Sequence, residues 1–128
     1  MAYLFFSLPG CEALAAEIAT KMCAQVGKIT VRRFPDGESY VRLLHPVADS
    51  DVVIVCRLNQ PDAKVVPLLW AAAAAREGGA ASVGLVTPCL PYMRQDKVFS
   101  SGETVSARHF AALLSSEMNI PAAKAFGL

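Results

Sequence analysis

Four consecutive polar side chains close the stretch Pro91-Tyr92-Met93-Arg94-Gln95-Asp96-Lys97. The Arg94 guanidinium can fork onto phosphate oxygens, and Lys97 adds a compact second positive charge. Gln95 offers a donor and an acceptor to a ribose or a base edge, and Asp96 adds a carboxylate. The same residue types also suit a solvated, charge-balanced loop, although the prolines and tyrosine before them stiffen the approach. A second cluster, Arg33-Phe34-Pro35-Asp36-Gly37-Glu38, sets an aromatic face beside two carboxylates. The ring can stack on a base while Asp36 and Glu38 accept hydrogen bonds from an amino group or a ribose. Pro-Asp-Gly is equally an ordinary turn, with proline presetting φ and glycine supplying a positive φ, and Phe34 equally suits a core.

Other polar groups carry less. His45 falls in a proline-containing loop and His109 inside a helix, and neither has a partner at metal-ligand spacing. Ser100-Ser101-Gly102-Glu103-Thr104 lacks the Gly-Lys-Ser/Thr end of a P-loop and reads as helix capping and a flexible connection. No Ser/His/Asp or Cys/His arrangement and no Gly-x-Gly-x-x-Gly is present.

The elements that must position these clusters alternate between strand and helix patterns. Tyr3 to Ser7 reads as a first strand, closed by Pro9-Gly10. Glu12 to Gln25 carries a helical stripe of Leu14, Ile18 and Met22, with Ala15 and Ala19 beside it and Gly27 as the stop. Ile29 to Phe34 and Ser39 to Leu44 flank the Pro35-Asp36-Gly37-Glu38 turn and predict an antiparallel hairpin. Asp51 to Cys56 is a continuous apolar run of the kind buried in a parallel sheet. A helix follows from Pro61 through Arg76, with alanine at 71 to 75 and Gly78-Gly79 as its end. Trp70 in that helix reads as packing or interface. Ser82 to Thr87 is the next strand, and Val105 to Ser116 the last helix. The alternation predicts one mainly parallel, layered α/β domain, with the Pro91–Lys97 loop leaving the carboxyl end of a strand, where such sheets bind ligands.

The chain has 128 residues, enough for one domain with a real core, and is 54% hydrophobic and 18% charged. So high an apolar share predicts a well-buried sheet and a further apolar face for a partner. Twelve basic and eleven acidic residues leave a net charge of +1, which provides no electrostatic footprint for nonspecific nucleic-acid binding. No apolar run reaches a membrane span, and the opening Met1-Ala2-Tyr3-Leu4-Phe5-Phe6 has no basic segment of a signal peptide. Cys11, Cys23, Cys56 and Cys89 have no Cys-x-x-Cys spacing and read as buried free thiols in a cytoplasmic protein.

The two clusters, in this order and spacing, resemble ribose-phosphate pyrophosphokinase (PRPP synthetase). Asp51-Val52-Val53-Ile54-Val55, the alanine-rich helix and Gly102-Glu103-Thr104-Val105-Ser106-Ala107 fit the same family. The resemblance covers roughly residues 2 to 116, the family's amino-terminal domain, so residues 1–116 are expected to form that domain and 117–128 a divergent tail. It implies a phosphoribosyltransferase-like three-layer fold with a projecting hairpin. It also implies a reaction in which ATP, with Mg²⁺, gives its β,γ-diphosphate to the 1-hydroxyl of ribose 5-phosphate, releasing AMP. By the resemblance, Phe34, Asp36, Gly37 and Glu38 hold adenine in a neighbouring subunit of a homo-oligomer. Arg94 and Gln95, with Asp96 and Lys97, reach the ATP phosphates and ribose.

The family continues with a magnesium-binding histidine, a basic catalytic loop and an acidic ribose-phosphate motif. None of these follows Ser116, and Pro121 would interrupt a continuing helix. Pro9-Gly10-Cys11-Glu12 also departs from the family's Ser/Asn-containing turn. The expectation is half an active site, without catalytic residues or metal ligands of its own and inactive alone. The alternative is a non-catalytic assembly or regulatory module of the same family.

Overall fold

Apolar runs with alternating partners on two faces build a sheet covered on both sides. The computed structural model describes residues 3–118; the rest of the tail, with Pro121, lies outside the described residues. In chain order the elements are β1 (Tyr3–Ser7), α1 (Glu12–Lys21), β2 (Gln25–Val26), β3 (Ile29–Arg33), β4 (Ser39–Leu43), β5 (Asp51–Val55), α2 (Asp62–Glu77), β6 (Ser82–Val86) and α3 (Ser106–Glu117). The main sheet runs β2-β1-β5-β6 with every pairing parallel, and β3 and β4 form a separate antiparallel ribbon. Register across β5 and β6 starts at Asp51 opposite Ser82, whose hydroxyl donates to the Asp51 carboxylate at 2.6 Å.

Strand side chains alternate between two cores. Leu4, Phe6, Val52, Ile54 and Val83 face α2, α3 and the ribbon, where Leu68, Ala71, Ala75, Phe110 and Leu114 meet them. Phe5 and Val55 face α1 and pack on Ala15 and Ala19. The result is the expected three-layer α/β domain. The ribbon is less free than a projecting hairpin suggests. Ile29, Val31, Val41 and Leu43 pack against the larger core, and only the tip stands clear.

Three local expectations are corrected. Helix α1 stops at Lys21, short of Gln25. Cys23 takes a left-handed φ of 52°, and Ala24 N–H donates back to Ala19 O at 2.8 Å, while Cys23 N–H donates to Thr20 O at 3.2 Å. Those two bonds make a Schellman stop, and Gln25–Val26 is released to become the edge strand β2. Gly27 is therefore no helix stop: a β-carbon there would stand 2.6 Å from the Phe6 ring, so its lack of a side chain permits a close approach. Ala15 and Ala19 are the fully buried residues of α1, and Leu14 and Ile18 of the expected stripe are partly buried against the same cluster, whereas Met22, past the end of the helix, is 46% exposed. The cysteines divide as well. Cys11 and Cys56 are buried, whereas Cys23 and Cys89 lie in exposed turns. Burial, and then the neighbouring Cys11, push the Cys56 thiol up to about 11, which suits packing rather than nucleophilic chemistry.

Candidate functional site

All four strands of the main sheet run parallel, so the turns after β1, β5 and β6 leave from one edge. Helix α2 begins there, and both candidate segments are attached to its first turn.

The hairpin tip is built by local bonds. Phe34 N–H donates to Glu38 O at 2.8 Å, and Gly37 N–H to Phe34 O at 2.8 Å. One Asp36 carboxylate oxygen accepts Glu38 N–H at 3.1 Å, an Asx-type turn that leaves the other oxygen to solvent. Gly37 sits at φ +95°, a region that side chains avoid. Phe34 is 41% exposed and stands edge-on to Tyr40, with centroids 5.7 Å apart. The Arg32 guanidinium lies 4.3 Å from the Tyr40 centroid and 5.3 Å from that of Phe34, a cation–π contact bracing the ring pair. Arg33 donates through Nη1 to Gly37 O and through Nη2 to Ala63 O in α2, each at 3.1 Å. A cavity of about 220 Å³ opens between ribbon and helix, with Arg32, Arg33, Cys56 and Lys64 in its wall.

The segment after β6 is held by tertiary contacts. Tyr92 adopts φ +65°, a strained setting for an aromatic residue. Its ring packs on Phe110 of α3 at 5.0 Å, and its hydroxyl donates to the Asp62 carboxylate at the start of α2. Desolvation, followed by that bond to Asp62, pushes the phenol up to about 12. Gln95 is bound within the loop: its Nε2 donates to Lys97 O at 2.9 Å and to Glu103 Oε1 at 3.0 Å. The same Glu103 oxygen accepts the backbone N–H groups of Phe99 and Ser100, both at 2.9 Å. Bonds from Ser100, Phe99 and Gln95, in that order, hold the Glu103 carboxyl below its ordinary range. Ala107 N–H donates to Gln95 O at 3.2 Å and ties the loop to α3.

Arg94, Asp96 and Lys97 remain exposed. Among the described residues, none of their side chains takes part in a hydrogen bond or an ion pair; the one ion pair joins Lys21 to Glu17. Lys97 Nζ lies 5.2 Å from the Phe99 ring centroid. No hydrogen bond among the described residues joins residues 34–38 directly to residues 91–97; the first turn of α2 stands between them. Nor does any group of three His, Cys, Asp or Glu side chains among the described residues converge as a metal site. His109 lies on the exposed side of α3.

Sequence reasoning missed three contributors. Glu103 organises the loop, and its signal was the Ser100-x-x-Glu103 spacing of a capping box. Asp62 was invisible, since nothing local announces a bond to a tyrosine after the next strand. Ala63 carried half a signal: Pro67, four residues on, has no N–H to give its carbonyl.

Comparison with known proteins adds the rest. The ribose-phosphate pyrophosphokinase from Staphylococcus aureus strain Mu50 is 34% identical over 110 residues, covering 85% of this chain and 34% of the relative. That from Staphylococcus haemolyticus has the same identity and coverage. The chain thus spans about a third of the length of these relatives. The phosphoribosylpyrophosphate synthetase from Mycobacterium smegmatis superposes with a TM-score of 0.83 at 27% identity, over 91% of this chain and 40% of that one. A purine phosphoribosyltransferase from Pyrococcus horikoshii shares the fold, with a TM-score of 0.50 at 13% identity, over 66% of this chain and 58% of that one. The profile of the N-terminal domain of ribose phosphate pyrophosphokinase matches residues 3–117, nearly the whole α/β domain, and the chain belongs to that family.

Proposed function

We propose that this domain is the nucleotide-binding and subunit-pairing part of a ribose-phosphate pyrophosphokinase, which forms PRPP and AMP from ATP and ribose 5-phosphate. Arg94 supports this reading most: an exposed guanidinium with no carboxylate or carbonyl partner among the described residues is free to fork onto phosphate oxygens. Lys97 adds charge beside it. Gln95 takes a narrower role than its residue type allows, because both amide hydrogens serve the loop and its carbonyl alone faces a ligand. At the hairpin tip Phe34 offers a ring, Asp36 and Glu38 offer acceptors for adenine, and Gly37 permits the turn. Among the described residues no hydrogen bond joins the tip directly to its own chain's loop, which suits a site completed by a second copy of a homo-oligomer.

Diphosphate transfer relies on positioning and charge neutralisation. The side chains described here bind and orient, and none is placed to move a proton at a reacting hydroxyl. Among the described residues no ligand set converges, which suits magnesium arriving with the nucleotide. The chain by itself is therefore inactive, residues 1–116 are its working unit, and four free cysteines suit a cytoplasmic setting.

Calorimetric titration with Mg·ATP, with light scattering for the oligomeric state, tests this. Saturable binding, lost in Arg94→Ala and in Asp36→Ala, is expected; a folded oligomer that binds nothing refutes the nucleotide reading. That second outcome leaves an assembly module, a reading favoured by Trp70 at 49% and Leu113 at 47% exposure on α2 and α3. Formation of PRPP by the isolated chain would refute its inactivity.

A further inference from the structure

Helix α2 contains a proline inside its hydrogen-bonded ladder. Pro67 has no N–H, so the carbonyl of Ala63, four residues earlier, has no helical donor. That carbonyl is taken instead by Arg33 Nη2, at 3.1 Å. The Nη1 of the same guanidinium closes the hairpin tip on Gly37 O at 3.1 Å. One side chain thus ties the tip to the helix. Asp62, the residue before Ala63, accepts the Tyr92 hydroxyl. Tyr92 itself is held at φ +65° with its ring on Phe110, a strained setting that persists only where its surroundings over-determine it. Two segments far apart in sequence are bound to adjacent residues of one helical turn.

We infer that the first turn of α2 is an alignment element for both segments. Arg33, on the carbonyl that Pro67 releases, and Tyr92, on Asp62, are positioning residues that hold residues 34–38 and 93–97 in one frame. What the frame serves rests on the nucleotide reading above; the frame itself does not. In an assembly where the hairpin tip completes a neighbour's site, one helical turn sets both the phosphate segment that a chain keeps and the adenine segment that it lends. Neither residue needs to touch the ligand for this.

Hydrogen exchange and Mg·ATP titration of the full chain, with Arg33→Met, Tyr92→Phe and Pro67→Ala, test the inference. Arg33→Met keeps the aliphatic stem and removes the donors. Exchange at residues 34–38 rises about tenfold, the lower end for a lost charged hydrogen bond, and Mg·ATP affinity falls by a similar factor. Arg33→Lys restores part of both, since an ammonium still reaches one carbonyl. Tyr92→Phe keeps the ring on Phe110 and speeds exchange at 93–97. Pro67→Ala is the sharpest variant. It returns an N–H to the ladder, so α2 becomes no less protected while the hairpin tip exchanges faster. A purely structural role for Pro67 would move both in the same direction. Unchanged exchange at 34–38 in both Arg33→Met and Pro67→Ala, or at 93–97 in Tyr92→Phe, overturns the inference. A wild-type chain that binds no Mg·ATP refutes the nucleotide reading instead, and the exchange pattern still decides the alignment.

Discussion

The hairpin tip and the segment after β6 carry complementary chemistry, a ring with carboxylates and a pair of cations, and are shaped by different means. The turn at the tip closes on itself through bonds that span at most four residues: Asp36 to Glu38, Gly37 to Phe34 and Arg33 to Gly37. One long-range bond, Arg33 to Ala63, anchors it to α2. The second segment takes its shape from Asp62, Phe110 and Glu103, which lie in or beside other elements. A turn closed by local bonds depends on the rest of the domain only through its single anchor on α2. A loop held by tertiary contacts fails with the core that supplies them.

Phe110→Ala exploits that difference and has the largest expected effect. Removing a buried ring costs about 3–5 kcal/mol in denaturant unfolding, and it takes away the surface under Tyr92. Exchange at 92–97 rises while that at 34–38 stays; equal loosening of both segments would erase the contrast. Gly37→Ala acts from the other side. An alanine at φ +95° costs roughly 1–2 kcal/mol and opens the tip, leaving the Tyr92 ring on Phe110. Asp36→Ala removes one turn bond of ordinary strength, worth about 0.5–1.5 kcal/mol, and a smaller loss at the same place is expected.

The smallest effect is one of pH, and it too separates the segments. The Glu103 carboxyl is held below its ordinary 4.5 by the N–H groups that it accepts. Its ordering of residues 95–103 is therefore fully present above that value and is lost as pH falls through the lower folded one. Amide shifts of Phe99 and Ser100 followed by NMR report the loss. Glu103→Gln abolishes the titration, and a wild-type loop that loosens at neutral pH would contradict it.

Much of this architecture was legible because its causes are local. Continuous apolar runs such as Val52 to Val55 can be covered only inside a layered sheet, and alternation with helices then makes that sheet parallel. Pro35-Asp36-Gly37 announces its turn by its own dihedral preferences. The end of α1 was not legible, since a cysteine in the left-handed region carries no compositional warning. The same holds for the exposure of Met22, because it follows from where the helix ends.

The sequence by itself determined the order of the elements other than the edge strand β2, the two chemically armed segments and their family. All three follow from short-range propensity and from residue identity at fixed spacing. Tertiary structure alone decided which donors remained free. Gln95 is bound within its loop and Arg94 is not, although both look equally available as residue types. It also decided that Arg33 and Tyr92 meet adjacent residues of α2. Hydrogen-bond partners distant in sequence are chosen by how layers pack, and packing is settled only when the whole core is in place.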